Sequence, residues 1–158
     1  MRPHHNPVHP QRWHRWWLML TACVLLASGL AWLLLHYTLG AGVGELPHPA
    51  EAWLTRLHGA GAFAALFAAG LLAGHHMPAG HRFSRTRRHH RAQGRTGWWM
   101  AGLLAACALS SYGLLYLVPE DWRPATVWAH ALAGLSLAAL GGWHGRARAR
   151  RRAAAHQD

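Results

Sequence analysis

The chain has 158 residues, 52% of them hydrophobic, and its 16 basic side chains against 5 acidic ones give a formal net charge of +11. That length holds one domain, or one bundle with tails. The basic residues are all Arg and lie beside apolar blocks rather than in one patch, which speaks for membrane orientation and against a nucleic-acid partner.

The elements follow from where charge is absent. Residues 1–14 read as a disordered, basic, His- and Pro-rich tail. Four stretches then lack Asp, Glu, Arg and Lys altogether: Trp16–Gly44, Leu57–His81, Thr96–Pro119 and Pro124–Gly145. Each exceeds the roughly 20 apolar residues a helix needs to cross the hydrocarbon. A soluble helix would carry a polar stripe, and these carry none. The predicted helices run about 15–39, 52–77, 97–118 and 124–145. Pro47 and Pro49 mark an irregular first loop, while Pro78 and Gly80 are expected to stop helix two before a basic loop over 79–96. Pro124 suits a first helical position. The first segment is too long for a signal h-region and has no clean cleavage site after it, so it is read as a permanent helix. Residues 147–158 form an Arg-rich tail.

The fold expected is therefore all-α, a four-helix transmembrane bundle running up-down-up-down over residues 15–146. With four crossings, every Arg except Arg56 and Arg123 falls on one side of the membrane. The positive side is the cytoplasmic one, so both termini are expected inside. Trp13, Trp16, Trp17, Trp98, Trp99 and Trp143 suit the inner interface, and Trp53, Trp122 and Trp128 the outer. The Arg-only composition fits a GC-rich bacterium, hence the inner membrane.

Histidines carry the chemistry. Ionisable residues in membrane segments are costly and are functional candidates by default. His58 and His130 start helices two and four on the outer side, and His76 and His144 close them on the inner side. A helix turns about 100° per residue. The eighteen residues from His58 to His76 are a whole number of turns, and the fourteen from His130 to His144 nearly so. Each pair thus shares a face, spaced ~27 Å and ~21 Å along the axes. Ala62, Ala65 and Ala69 continue one face; Gly134, Leu137 and Gly141 continue the other. Small residues leave room for a flat macrocycle, and paired imidazoles can hold haem iron from both sides. Two haem b groups between helices two and four are expected, the outer on His58 and His130 and the inner on His76 and His144.

Other assignments stay open. His36 is an alternative outer ligand, a propionate partner or a quinone contact; His14 competes with His76, and His75 points about 100° away from it. Arg56 and Arg123 are candidate partners for outer propionates, and Arg82 and Arg146 for inner ones; interface anchoring explains them equally well. The membrane hydroxyls Thr21, Ser28, Ser110, Ser111 and Ser136 read as helix back-bonding or packing. Cys23 and Cys107 read as small core residues, and no Cys-x-x-Cys-His sequence offers a c-type attachment. Two other function classes remain: a non-redox subunit that anchors or assembles a larger complex, and a small transporter lined by histidines.

The segments Leu57-His58-Gly59-Ala60 and Trp128-Ala129-His130, with Trp143-His144 fourteen residues after His130, resemble small four-helix membrane cytochromes of the b561-like type, within the broader cytochrome b superfamily. The resemblance covers roughly residues 15–146. It implies electron relay across the membrane, between quinol or quinone and a c-type cytochrome or membrane redox complex. In bacterial members the ligands commonly come from helices one, two and four, which would match His14 and His58; His76 departs from that pattern.

Overall fold

The structure is a computed structural model that describes the backbone of residues 11–86 and 91–154 and the side chains of residues 16–71 and 95–146. It is all-helical among those residues. The long helices are α1 (Gln11–Leu39), α2 (Pro49–Thr86), α3 (Arg91–Tyr116) and α4 (Arg123–Ala154). Stretches of all four are long and apolar enough to cross a membrane: Trp16–Val43, Pro49–Leu71, Arg95–Tyr116 and Glu120–Arg146. The chain is therefore read as a multi-pass membrane protein. Large apolar side chains face outward along every span, among them Leu34 (68% exposed), Phe63 (80%), Leu109 (72%) and Leu132 (61%). Such a surface is compatible with lipid contact.

The chain divides into two compact units, residues 1–72 and 73–158. The first contains a hairpin of α1 with the first part of α2. Two cross-helix contacts fix its antiparallel register. His36 Nδ1 meets Glu51 Oε2 at 2.8 Å. Eight residues back along α1 and seven forward along α2, Ser28 Oγ meets His58 Nδ1 at 3.1 Å. Between these helices Gly61 lies against Val24 and Leu25, where an added Cβ would meet side-chain atoms at 3.2–3.4 Å. The second unit contains the α3–α4 hairpin. Ser110 Oγ meets His130 Nδ1 at 2.8 Å and Thr96 Oγ1 meets His144 Nδ1 at 3.2 Å, fourteen residues apart on both helices. Gly141 lies against Met100 in the same register.

The first loop is built around one carboxylate. Glu51 is 7% exposed. Its Oε1 accepts the His48 backbone N–H at 3.0 Å, while His48 Nδ1 accepts the Ala50 N–H at 3.2 Å. This is a capping box with His in the N-cap place and Pro49 at the first helical position. It explains why α2 starts at Pro49 and not at Ala52. Glu51 Oε2 then holds His36, whose ring stacks on Trp32 (centroids 4.4 Å, 13°) and meets Tyr37 edge-on. A Cβ on Gly40 would run into the Glu51 carboxylate, and one on Gly42 would sit 2.8 Å from the His36 and Tyr37 rings. Gly44 closes the 3-10 turn Ala41–Val43 at φ +85°, a left-handed conformation suited to Gly. The second loop is plainer. Leu117 and Val118 N–H both donate to the Gly113 carbonyl at 2.8 Å. Arg123 pairs with exposed Glu120 and donates to the Leu114 carbonyl at 3.1 Å.

Helix ends differ from the sequence expectation. α2 does not stop at Pro78 and Gly80 but runs to Thr86, and α3 begins at Arg91, six residues before Gly97. Most of the expected basic loop is thus helical. A proline removes one backbone bond and strains one turn, but propagation on either side of it still adds a bond per residue. α4 likewise continues past Gly145 to Ala154, taking in most of the expected Arg-rich tail. α1 starts at Gln11, so the last residues of the expected N-terminal tail are helical, while residues 1–10 lie outside the described ones. Cys23 is exposed and Cys107 half-buried, so neither is the core residue expected. Tryptophans occupy both ends of each hairpin, with Trp16 and Trp53 at opposite ends of the first and Trp143 and Trp122 at opposite ends of the second, each about 70% exposed.

The two loops should respond differently to mutation. Glu51→Ala removes the cap and the His36 contact, and is expected to destabilise the first hairpin by about 1–2 kcal/mol. Arg123→Gln breaks an exposed pair and is expected to cost no more than about 1 kcal/mol. Hydrogen exchange of loop-end amides in detergent reads both; equal protection loss at the two loops would contradict the contrast.

Candidate functional site

Three of the four expected ligands have described side chains, and they share one arrangement. His58, His130 and His144 each meet, at Nδ1, a hydroxyl on the preceding helix: Ser28, Ser110 and Thr96 respectively. His58 and His130 also hold the same place in the sequence of their own hairpins. Each lies seven residues beyond its hairpin's loop anchor, Glu51 in one case and Arg123 in the other, or ~10 Å along the axis. They are therefore two turns inside the spans and not at their very ends. His144 lies near the tail end of its span.

The fourteen-residue spacing has a definite structural meaning. His130 and His144 do share a face, and both present Nδ1 to α3. His58 in turn presents Nδ1 to α1 and lies over Gly29, where a Cβ would come within 3.2 Å of its Cε1. The Nδ1 edges thus turn toward each histidine's own hairpin partner. His14, His75 and His76 lie on helical backbone, but their side chains are outside the described residues, as is that of Arg82.

The remaining candidates have local partners. His36 belongs to the Glu51 clasp. Arg56 lies over the Trp53 ring, 5.0 Å from its centroid, as a surface cation–π pair. Arg123 serves the second loop. Arg146 folds back along α4, its guanidinium 3.3 Å from where a Gly142 Cβ would be.

Sequence reasoning missed Ser28, Ser110, Thr96 and Glu51 as partners. The back-bonds expected of the serines are present: Ser28 Oγ donates to the Val24 carbonyl at 2.6 Å and Ser110 Oγ to that of Ala106 at 2.7 Å. The same oxygens also meet an imidazole. Equal spacing would have exposed the α3–α4 pairs, because Thr96 and Ser110 are fourteen apart, as His130 and His144 are.

What the residues fit can be tested on donor chemistry. Metal-bound histidine is generally fixed through its other ring nitrogen. Here Nδ1 is the fixed nitrogen, so a metal would be met at Nε2. Among the described residues no three His, Cys, Asp or Glu side chains gather to form a compact metal site. An iron already held by a porphyrin needs only axial imidazoles. Gly134, one turn beyond His130, has nothing within 4 Å of where its Cβ would lie, which leaves space beside that imidazole. The described residues fit haem on these counts.

Comparisons with protein-family models, with curated proteins and with solved structures give no match. The function must therefore be argued from the chain's own residues.

Gly29→Val would push a branched side chain against the His58 ring. Loss of the Ser28–His58 bond is expected, seen as a shifted His58 signal in nitrogen-15 spectra of the histidine side chains. An unmoved signal would mean that the ring has room to spare.

Proposed function

We propose that the chain is a dihaem b-type cytochrome of the bacterial inner membrane that relays electrons between the two membrane faces. The observation that carries the reading is the repeated hydroxyl–Nδ1 contact at His58, His130 and His144. A membrane imidazole kept for packing alone needs one such bond anywhere; three of the four expected ligands have it at the same ring nitrogen, Nδ1. In this reading His58 and His130 hold the outer haem, while His144 and His76 hold the inner one, with His14 as the alternative to His76.

Bound haem would supply one-electron exchange, with potentials set by the axial imidazoles and the apolar surroundings. The chain's own groups do the rest. With two histidines to each iron no coordination position would stay open, so such a site would relay electrons and would not activate oxygen. Ser28, Ser110 and Thr96 hold the imidazoles, and Gly29 and Gly134 give them space. Quinol or quinone and a c-type cytochrome or membrane redox complex are the proposed electron partners. The arginines flanking the spans support a reading with both termini in the cytoplasm. It is a carrier or a subunit of an oxidoreductase complex more than a stand-alone enzyme.

A reduced-minus-oxidised optical spectrum with a pyridine haemochrome count is the direct test, and two b haems per chain are expected. His130→Ala should remove the outer haem and spare the inner, and His144→Ala the reverse. His14→Ala and His76→Ala, compared side by side, decide the second inner ligand. A colourless preparation from cells well supplied with haem would overturn the reading and favour a non-redox anchoring subunit.

A further inference from the structure

Ser28 and Ser110 do more than touch an imidazole, and the position of their single proton shows what. A serine hydroxyl has one hydrogen to give and two lone pairs. Ser110 Oγ lies 2.7 Å from the Ala106 carbonyl oxygen, and Ser28 Oγ 2.6 Å from that of Val24. Two oxygens that close without a hydrogen between them repel; with one they form a short, strong bond. The hydroxyl protons are therefore committed to the helix backbone. What faces Nδ1 of His130 at 2.8 Å, and of His58 at 3.1 Å, is an oxygen lone pair. A contact of that length requires the hydrogen on Nδ1. Both imidazoles are then held in the Nδ1–H form with the lone pair on Nε2.

We infer that Ser28 and Ser110 are matched positioning residues that select the metal-binding tautomer of His58 and His130 and raise the donor strength of their Nε2. The device occurs once in each hairpin, on α1 and on α3, at the depth of the imidazole it serves. The tautomer half of the inference stands on these distances alone. The donor-strength half rests on the haem reading above. An acceptor on Nδ1–H makes the imidazole a stronger donor to iron, which favours the ferric state.

Two measurements on the full-length chain in detergent test it. The first is nitrogen-15 spectroscopy of histidine side chains in protein made without haem supply, with the signal assigned by its loss in His130→Gln. His130 is expected in the Nδ1–H form; in Ser110→Ala it should move toward the Nε2–H form, and in Ser110→Thr it should stay. An Nε2–H signal in the unaltered chain, or no change in Ser110→Ala, overturns the inference whatever the haem content. The second is redox titration of haem-loaded protein. Ser110→Ala is expected to shift the outer midpoint upward and leave the inner one in place, with Ser110→Thr restoring the original value. Ser28→Ala should shift the same midpoint in the same direction but less, because its contact with the imidazole is the longer one, 3.1 Å against 2.8 Å. Retained haem with an unmoved outer midpoint in Ser110→Ala overturns the donor-strength half while leaving the haem reading intact. Colourless unaltered protein overturns the haem reading and the donor-strength half together, and the first measurement still decides the tautomer.

Discussion

An imidazole inside an apolar hairpin must satisfy its ring nitrogens from within the protein, because lipid offers no hydrogen bonds. This constraint organises the molecule. His36, His58, His130 and His144 each reach a side chain on the other helix of their own hairpin, and these polar contacts set the register of otherwise featureless apolar helices. Helices that attract one another only through dispersion slide easily. A hydroxyl or carboxylate at a fixed height stops them, because any slip leaves a polar group stranded in hydrocarbon.

The two hairpins solve their loops with different chemistry. The first hides a carboxylate that caps its own helix with one oxygen and holds a stacked histidine with the other. The second uses an exposed Arg–Glu pair and a backbone carbonyl. Below the loops they converge: a back-bonded serine, an imidazole, and the same two-turn step from the loop anchor. No internal repeat is visible in the sequence, since the residues around Ser28 and Ser110 differ and the loops differ in length. The likeness lies in geometry.

The four helices were legible because charge-free runs are long and membrane thickness is a single known length. The fourteen-residue spacing of His130 and His144 was legible because helical rotation is regular. Pro78 misled because a helix-breaking residue states a local cost and says nothing of the turns that follow it. The start of α2 was missed because His48 stands where a capping sequence would show Ser or Asp. Ser28 and Ser110 were passed over for a physical reason. Back-bonding satisfies a membrane hydroxyl completely as a donor, and sequence does not record where its lone pairs point. The direction of the Nδ1 edges, toward α1 and α3, depends on helix rotation, which apolar stretches exposed on most sides leave undetermined.

The α3–α4 contacts have a mechanical consequence. Ser110–His130 and Thr96–His144 lie the same number of residues apart on both strands of the hairpin, so they act as two rungs of a ladder about four turns tall. Moving either helix lengthwise by a full turn, ~5.4 Å, would break both rungs together. Piston-like travel of that size is thereby closed to this pair of helices. Whatever larger motion the second hairpin transmits must come from rotation about its long axis or from bending between the rungs.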